Sequence, residues 1–274
     1  MRDRRTRFRD EVVIVTGASS GIGRATALAF AAAGAQVVLA ARSEGKLQAL
    51  SDEIVEKGGR ALVVPTDVGR PEQVQQLVEC TMEKFGCIDV LVNNAGYGLL
   101  GLAEKVSLAE VRALFDVNFF GAVACTQAVL PHMLRQGWGQ IVMVSSVAGL
   151  IGTPITSVYA ASKFALNGWS QALRAEVANR GVDVIVVCPS FTSGTHFTDN
   201  AVKVSMFPGK DNPLQRQSAD DVAKAILQAA RRRQHLAILT HSARLAVFLN
   251  HCCPRLVDWA LAMYVRHSSL RTEL

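Results

Sequence analysis

Tyr159 and Lys163 stand four residues apart in Tyr159-Ala160-Ala161-Ser162-Lys163. On a helix that spacing puts both side chains on one face. A tyrosine phenol titrates near 10, so acid–base work at neutrality needs its pKa lowered by roughly 3, or ~4 kcal/mol. A lysine ammonium ~5 Å away, at an effective dielectric of ~20, supplies about 3 kcal/mol of that. Ser146 lies 13 residues before Tyr159, at the end of an apolar run. A hydroxyl there can donate to a carbonyl oxygen and accept from an alcohol. Upstream, the β-branched run 12–15 leads into Thr16-Gly17-Ala18-Ser19-Ser20-Gly21-Ile22-Gly23. Glycines at this spacing allow a tight turn and close approach of backbone to a pyrophosphate, and a following helix supplies free N–H groups. The absence of Lys-Ser/Thr after the glycines separates it from a P-loop. Taken singly, each signal also has an ordinary structural meaning: a tight turn, a surface Tyr and Lys, two turn-forming serines.

The elements that would position these residues alternate. Strands are predicted at 12–15, 36–40, 61–64, 90–92, 141–144, 182–188 and 236–240. Helices are predicted at 24–33, 46–57, 72–85, 108–134 and 158–179, and from the Ser218 cap to 232. Near-continuous Val/Ile strands alternating with helices predict an α/β fold: a doubly wound parallel sheet in a three-layer α/β/α sandwich. Ligands on such sheets bind beyond the strand C-termini. Residues 189–217 break the rhythm with Ser, Thr, Asn, Gly and Pro, and a loop this long is expected to be functional.

Half of the 274 residues are hydrophobic and 19% are charged, which excludes disorder and a disulfide-stapled scaffold. The formal charge of +6 is carried at the ends. Residues 1–9 are net +4 and residues 231–274 net +5, leaving −3 for the body. A body of that sign argues against nucleic acid as a partner. Basic ends fit a solvated tail or contact with an anionic membrane surface. The six cysteines form no C-x-x-C pair, which suits a reducing, cytoplasmic compartment. His251-Cys252-Cys253 has no recognisable metal-ligand spacing, so no metal is expected. No signal peptide and no run of 18 apolar residues is evident, so no membrane-spanning helix is expected.

In combination the motifs become specific. Thr16-Gly17-x-x-x-Gly21-x-Gly23, Asn93-Asn94-Ala95-Gly96, Asn118, Ser146 and Tyr159-x-x-x-Lys163 occur in order at suitable spacing. Over about residues 10–240 the chain resembles the short-chain dehydrogenase/reductase family, with its Rossmann-type fold. The runs Asn93-Asn94-Ala95-Gly96-Tyr97-Gly98 and Asp116-Val117-Asn118-Phe119-Phe120-Gly121 resemble hydroxysteroid-dehydrogenase-like members. The resemblance implies an oxidoreductase passing a hydride between a nicotinamide and a carbonyl or secondary alcohol. It implies that Gly17, Ser19, Ser20, Gly21, Ile22 and Gly23 hold the cofactor phosphates. Asp67 and Val68 would contact the adenine, and Asn94, Ala95 and Gly96 would line the adenosine side and brace the sheet. Tyr159 would be the general acid/base and Lys163 would hold the nicotinamide ribose. Ser146 would orient the substrate oxygen, while Asn118 would kink its helix and position a water. Pro189 would open the segment around the nicotinamide. The usual Pro-Gly-x-Val/Ile-x-Thr is replaced by Pro189-Ser190-Phe191-Thr192-Ser193-Gly194-Thr195, which leaves Thr192 and Thr195 as alternative carboxamide contacts.

Cofactor choice has a separate handle. A carboxylate at the end of the second strand would bind both ribose hydroxyls and repel a 2′-phosphate. The sequence there is Leu39-Ala40-Ala41-Arg42, so NADP(H) is expected over NAD(H), with Arg42 on the phosphate. The resemblance also implies a homodimer or homotetramer, and Phe115, Phe119, Ala122, Leu166 and Trp169 are the expected self-complementary face. Three units are expected: a basic tail 1–9, a single NAD(P)-binding domain 10–241 with a substrate loop at 190–217, and an apolar, basic extension 242–274. The extension would pack on the body, on a partner, or lie on a membrane surface, and with the loop it favours a lipophilic substrate. The rival reading is a dinucleotide-binding sensor or scaffold on the same fold without turnover.

Overall fold

The computed structural model describes residues 8–193, 202–203 and 217–267. Seven strands form one parallel sheet: β1 (Val12–Thr16), β2 (Gln36–Ala41), β3 (Arg60–Pro65), β4 (Val90–Asn93), β5 (Gly139–Val144), β6 (Val182–Cys188) and β7 (Leu236–Ile238). Their spatial order is β7-β6-β5-β4-β1-β2-β3, so the winding reverses between β1 and β4. This is the three-layer doubly wound sandwich the sequence predicts. Alternation along the strands feeds two cores. Val13, Val15, Val37, Leu39, Val142 and Ile185 face α1 (Gly21–Ala32), α2 (Glu44–Glu56) and α7 (Ala219–Arg232). Val12, Ile14, Val38, Leu91, Ile141 and Val184 face α3 (Pro71–Phe85), α5 (Ala122–Gln136) and α6 (Ser157–Val177). Because both faces are covered, the strands read as near-continuous apolar runs.

Several boundaries differ from the sequence expectation for local reasons. Helix α1 starts at Gly21, three residues early, because the glycine turn itself forms the first helical turn. The long helix predicted at 108–134 is α4 (Leu108–Phe115), a wide π turn over Asp116–Gly121, and α5. By length and composition alone, Leu108–Gln136 is long and apolar enough to cross a membrane, although it contains no run of 18 apolar residues. Its Leu114, Cys125, Val129 and Met133 are buried against the sheet and its neighbours. β7 stops at Ile238 because Thr240 caps the next helix, its hydroxyl accepting from the Ala243 N–H at 3.2 Å. That helix, α8 (His241–Cys252), is followed by α9 (Pro254–His267). Phe8, expected in the solvated tail, is wholly buried. It stacks edge-on to Phe30 at 4.9 Å, with the Arg231 guanidinium 5.9 Å from its ring centroid. Ala122 and Leu166, expected on an exposed face, are buried as well. Leu166 belongs to the inward stripe of α6 with Lys163, Ser170, Leu173 and Val177.

Candidate active site

The glycine turn sits at the end of β1, beside the place where the winding reverses. Gly17 (φ +66°) and Gly21 (φ +52°) take the left-handed conformation that favours glycine. A Cβ at Gly23 would collide with the Gly17 carbonyl and the Asn94 amide, so this turn closes only with glycine there. Asn94 Nδ2 donates to the Thr16 carbonyl at 2.9 Å. Thr16 Oγ1 accepts from the N–H groups of Asn94 and Ala95, each at 3.0 Å. The loop after β4 is thereby stitched to the loop after β1. Ser20 is the N-cap of α1 yet makes no side-chain cap bond, and no acid lies in the first turn. By contrast, Ser107 with Glu110 and Ser218 with Asp221 form complete capping boxes on α4 and α7. The first turn of α1 therefore keeps its N–H groups for an anion, the donor set a dinucleotide pyrophosphate requires.

An open cleft of about 610 Å³ lies where β2 and β3 end, lined by Arg42, Thr66, Asp67, Arg70, Gln73 and Gln76. Parallel pairing of Ala41 with Pro65 brings Arg42 next to the 66–70 turn. Asp67 shapes that turn: its N–H donates to Gln73 at 2.7 Å and its carboxylate accepts from the Gly69 N–H at 3.0 Å. Val68 is buried and fills the space beside Gly121, where a Cβ would clash with it. Arg42 and Arg70 bring two guanidinium groups to this cleft, with the Asp67 carboxylate beside them. The sequence reading missed Arg70, whose place depends on the β2–β3 register.

The second half of the site gathers at the ends of β4, β5 and β6. Asn118, 1% exposed, sits in the π turn. Its Oδ1 accepts from the Tyr97 N–H at 3.0 Å, and its Nδ2 donates to the Tyr97 carbonyl at 3.0 Å and Ser162 Oγ at 3.3 Å. It thus joins the loop after β4 to α6. Gly96 lies close to both partners, for a Cβ on it would be 3.0 Å from Asn118 Oδ1 and 3.7 Å from Lys163 Nζ. Ser146, beyond β5, caps a short turn, its hydroxyl accepting from the Ala148 N–H at 3.1 Å. Pro189 is buried, and its carbonyl accepts from the Val147 N–H at 3.0 Å, tying β6 to that turn.

Tyr159 and Lys163 project from the start of α6, with Lys163 Nζ 5.9 Å from the tyrosine ring centroid. Lys163 is 5% exposed and donates to the Val144 carbonyl at 3.0 Å. Burial pulls its pKa from 10.5 down to about 8. Tyr159 is only half-buried, yet desolvation pushes its phenol up to about 12; the Ser146 hydroxyl, hydrogen-bonded to it, acts in the other direction. In the chain by itself Ser146 is the contact that lowers the phenol, while Lys163, 5.9 Å from the ring centroid, donates to the Val144 carbonyl.

The substrate loop is described only in part. Its ends zip together, with Thr192–Ser193 pairing in parallel with Gln217–Ser218. The Thr192 hydroxyl turns back to donate to the Ser190 carbonyl at 3.0 Å. Val202–Lys203 pairs with Leu99–Leu100, which brings the loop beside the segment after β4. Thr195, Gly194 and the rest of the loop lie outside the described residues, as do residues 1–7 of the basic tail. Ile155, between Ser146 and Tyr159, has φ +68°, a strained conformation for a β-branched residue. Its buried side chain and its carbonyl, which accepts from the Gly101 N–H at 2.9 Å, hold it there. No sequence signal marks it. The six cysteines are free thiols, and among the described residues no group of three or more His, Cys, Asp or Glu could hold a metal.

Comparison with known proteins agrees with this geometry. Residues 11–204 match the short chain dehydrogenase family. An uncharacterized oxidoreductase of Bacillus subtilis, YxnA, is 35% identical over 274 residues, spanning 96% of this chain and 74% of that protein. The 3-oxoacyl-acyl-carrier-protein reductase of Synechocystis is 42% identical over 191 residues, 69% of this chain and 77% of that one. A short-chain dehydrogenase/reductase from Burkholderia phymatum, solved with NAD, aligns with a TM-score of 0.82 at 30% identity over 91% of this chain and 95% of that chain. The glycine turn at the winding reversal, the Ser146–Tyr159–Lys163 cluster across the strand ends and these matches place the chain in the short-chain dehydrogenase/reductase family of NAD(P)-dependent oxidoreductases.

Proposed function

We propose that this oxidoreductase prefers NADP(H) and interconverts a lipophilic ketone or aldehyde with its alcohol. The observation that carries the chemistry is the convergence of Ser146, Tyr159 and Lys163 at the strand ends, with Lys163 Nζ 5.9 Å from the tyrosine ring and Ser146 the contact that lowers its phenol. A nicotinamide held there would supply or accept the hydride. Tyr159 gives its phenolic proton to the substrate oxygen in reduction and recovers it in oxidation. Ser146 already accepts from the Ala148 N–H, so its own proton is free to point at the phenol or the substrate oxygen. Lys163, fixed by the Val144 carbonyl, offers its remaining donors to the nicotinamide ribose. Asn118 holds the loop after β4 and α6 in register, a positioning role.

Arg42 and Arg70 flank the cleft where the adenosine phosphate would sit, which supports NADP(H) over NAD(H). Leu99, Ile151 and Ile155 are apolar and buried around the site, and Phe191 is exposed at the base of the loop, which supports a lipophilic substrate. Exposed Phe120 and Phe164, with Phe119 and Trp169 in ring contact at 6.4 Å, support pairing of two copies through the α5 and α6 face. The free thiols fit a cytoplasmic location.

The test is a panel of carbonyls and alcohols of graded size with both cofactors, followed by nicotinamide absorbance. Tyr159→Phe should bind NADPH as the wild type does and lose turnover by about 10²–10⁴-fold, the usual worth of a general acid–base group. Near-normal kcat in Tyr159→Phe would remove the assigned role.

A further inference from the structure

Helices α8 and α9 pack on each other at the end of the described chain. On α8, Ala243 is buried and Ala246, Val247 and Asn250 are half-buried, which fixes the face turned toward the protein. Leu245, Phe248 and Cys252 rise on the opposite side at i, i+3 and i+7, flanked by exposed Arg244 and His251. On α9, Val257, Leu261 and Val265 form a half-buried stripe at intervals of four. The neighbouring stripe, Leu256, Ala260 and Tyr264, is exposed, with Trp259 beside it. Leu245, Phe248, Leu256, Trp259 and Tyr264 are 52–62% exposed. They are five of the twelve large apolar side chains exposed among the described residues, so this short terminal pair is the densest apolar surface the fold leaves uncovered.

The charges on the same helices say what covers it. Arg244, Arg255 and Arg266 face a single acid, Asp258, so the pair is net +2 with histidines neutral. Isologous pairing with a second copy would bring like charges together. An anionic lipid surface complements them and accepts the apolar stripes between its headgroups. Trp259 and Tyr264 are the residue types that settle at that depth. Pro254 divides the segment into helices of 12 and 14 residues, about 18 and 21 Å long, so neither crosses a hydrocarbon core of ~30 Å.

We propose that α8 and α9 are an interfacial anchor that lays the protein on an anionic bilayer surface. The anchor stands independently of cofactor choice. It also deepens the proposed substrate class, because it would bring the site to molecules dissolved in lipid, and that part rests on the lipophilic reading.

The experiment uses the full chain with vesicles of phosphatidylcholine alone or mixed with phosphatidylglycerol, at low and raised salt. Co-sedimentation measures binding, and tryptophan emission compared with Trp259→Phe reports burial of Trp259. Expected are binding to the anionic vesicles, a blue shift that Trp259→Phe lacks, and at least tenfold weaker binding at raised salt or to the neutral vesicles. Phe248→Ser with Trp259→Ser, and separately Arg244→Ala with Arg255→Ala, should each weaken binding at least tenfold while NADPH binding is retained. If the serine pair fails to fold, the wild-type emission shift and the arginine pair decide. Absence of binding at low salt overturns the proposal, as does binding indifferent to both pairs. A fall in oligomer mass by light scattering on Phe248→Ser with Trp259→Ser, without lipid, also overturns it by assigning the face to a second copy. Carbonyl turnover enters none of these readouts, so failure of the oxidoreductase assignment remains distinguishable.

Discussion

Replacing Lys163 with methionine should remove an alkaline rise in the stability of the cofactor-free protein. Burial holds this lysine at a pKa of about 8, against 10.5 in an unfolded chain. Below about pH 8 both states carry the proton and the lysine adds no slope. Between the two values the unfolded chain binds the extra proton, so the unfolding free energy of the wild type rises with pH. The full window is worth about 3 kcal/mol, of which about 1 kcal/mol falls between about pH 7.5 and pH 9. Tyr159, Cys125 and Cys188 are each pushed up to about 12, which gives the opposite sign, and their slopes begin only near their ordinary values of 9 to 10. Methionine keeps the side-chain stem and does not titrate. It leaves the Val144 carbonyl without its 3.0 Å partner, an offset of about 1–3 kcal/mol that does not change with pH. Urea unfolding of both proteins across this range is the assay. The quantity to follow is the wild-type free energy minus that of Lys163→Met. A difference that stays flat from about pH 7.5 to pH 9 refutes the depressed lysine, whatever its absolute size.

Arg42→Ala should weaken NADPH binding by roughly 1.5–3 kcal/mol, about ten- to a hundredfold, and leave NADH unchanged. Fluorescence titration checks it, and equal wild-type affinities for the two cofactors would end the preference for NADP(H). Gly23→Ala drives a methyl into the Gly17 carbonyl and the Asn94 amide, so it should cost about 1–3 kcal/mol of stability and lower affinity for both cofactors alike. Asp89→Ala strands the Val12 N–H at 2.8 Å and Trp138 Nε1 at 2.7 Å, with the weaker Cys87 thiol at 3.7 Å, and should cost about 2–4 kcal/mol. Calorimetry should then show a fall in Tm of roughly 5–10 °C.

The parts of the fold that were legible in the sequence are those whose causes are local. Residues 12–15 and 184–188 are continuous apolar runs because both faces of the sheet are covered. The glycine turn is legible because left-handed backbone and a close approach to Asn94 demand glycine at 17, 21 and 23. Long-range consequences were not legible. Arg70 joins Arg42 only through the β2–β3 register. Phe8 reads as one aromatic in a basic run, and only Phe30 and the Arg231 side chain make it core. The π turn at Asn118 shifts the helix face by about one residue, too little to disturb an apolar period read over several turns. Ile155 takes a left-handed φ against its own preference because tertiary contacts hold it there.

The electrostatics of Tyr159 and Lys163 bear on the direction in which the site is poised. Their ordinary values, 10.0 and 10.5, nearly coincide, whereas the folded chain sets them at about 12 and about 8. The split follows from one cause, since removing water penalises phenolate and ammonium alike and these are the charged forms on opposite sides of neutrality. At neutral pH the phenol is therefore protonated, and the neighbouring ammonium is held close to its own titration. Carbonyl reduction starts from a protonated phenol, and alcohol oxidation from a phenolate. The cofactor-free chain thus holds the phenol in its proton-donating form at neutral pH. Oxidation needs the phenolate, which is favoured by a more alkaline medium and by the Lys163 ammonium 5.9 Å from the ring. Ser146 moderates the penalty in both directions, because the Ala148 N–H fixes its oxygen and leaves its proton to follow the charge.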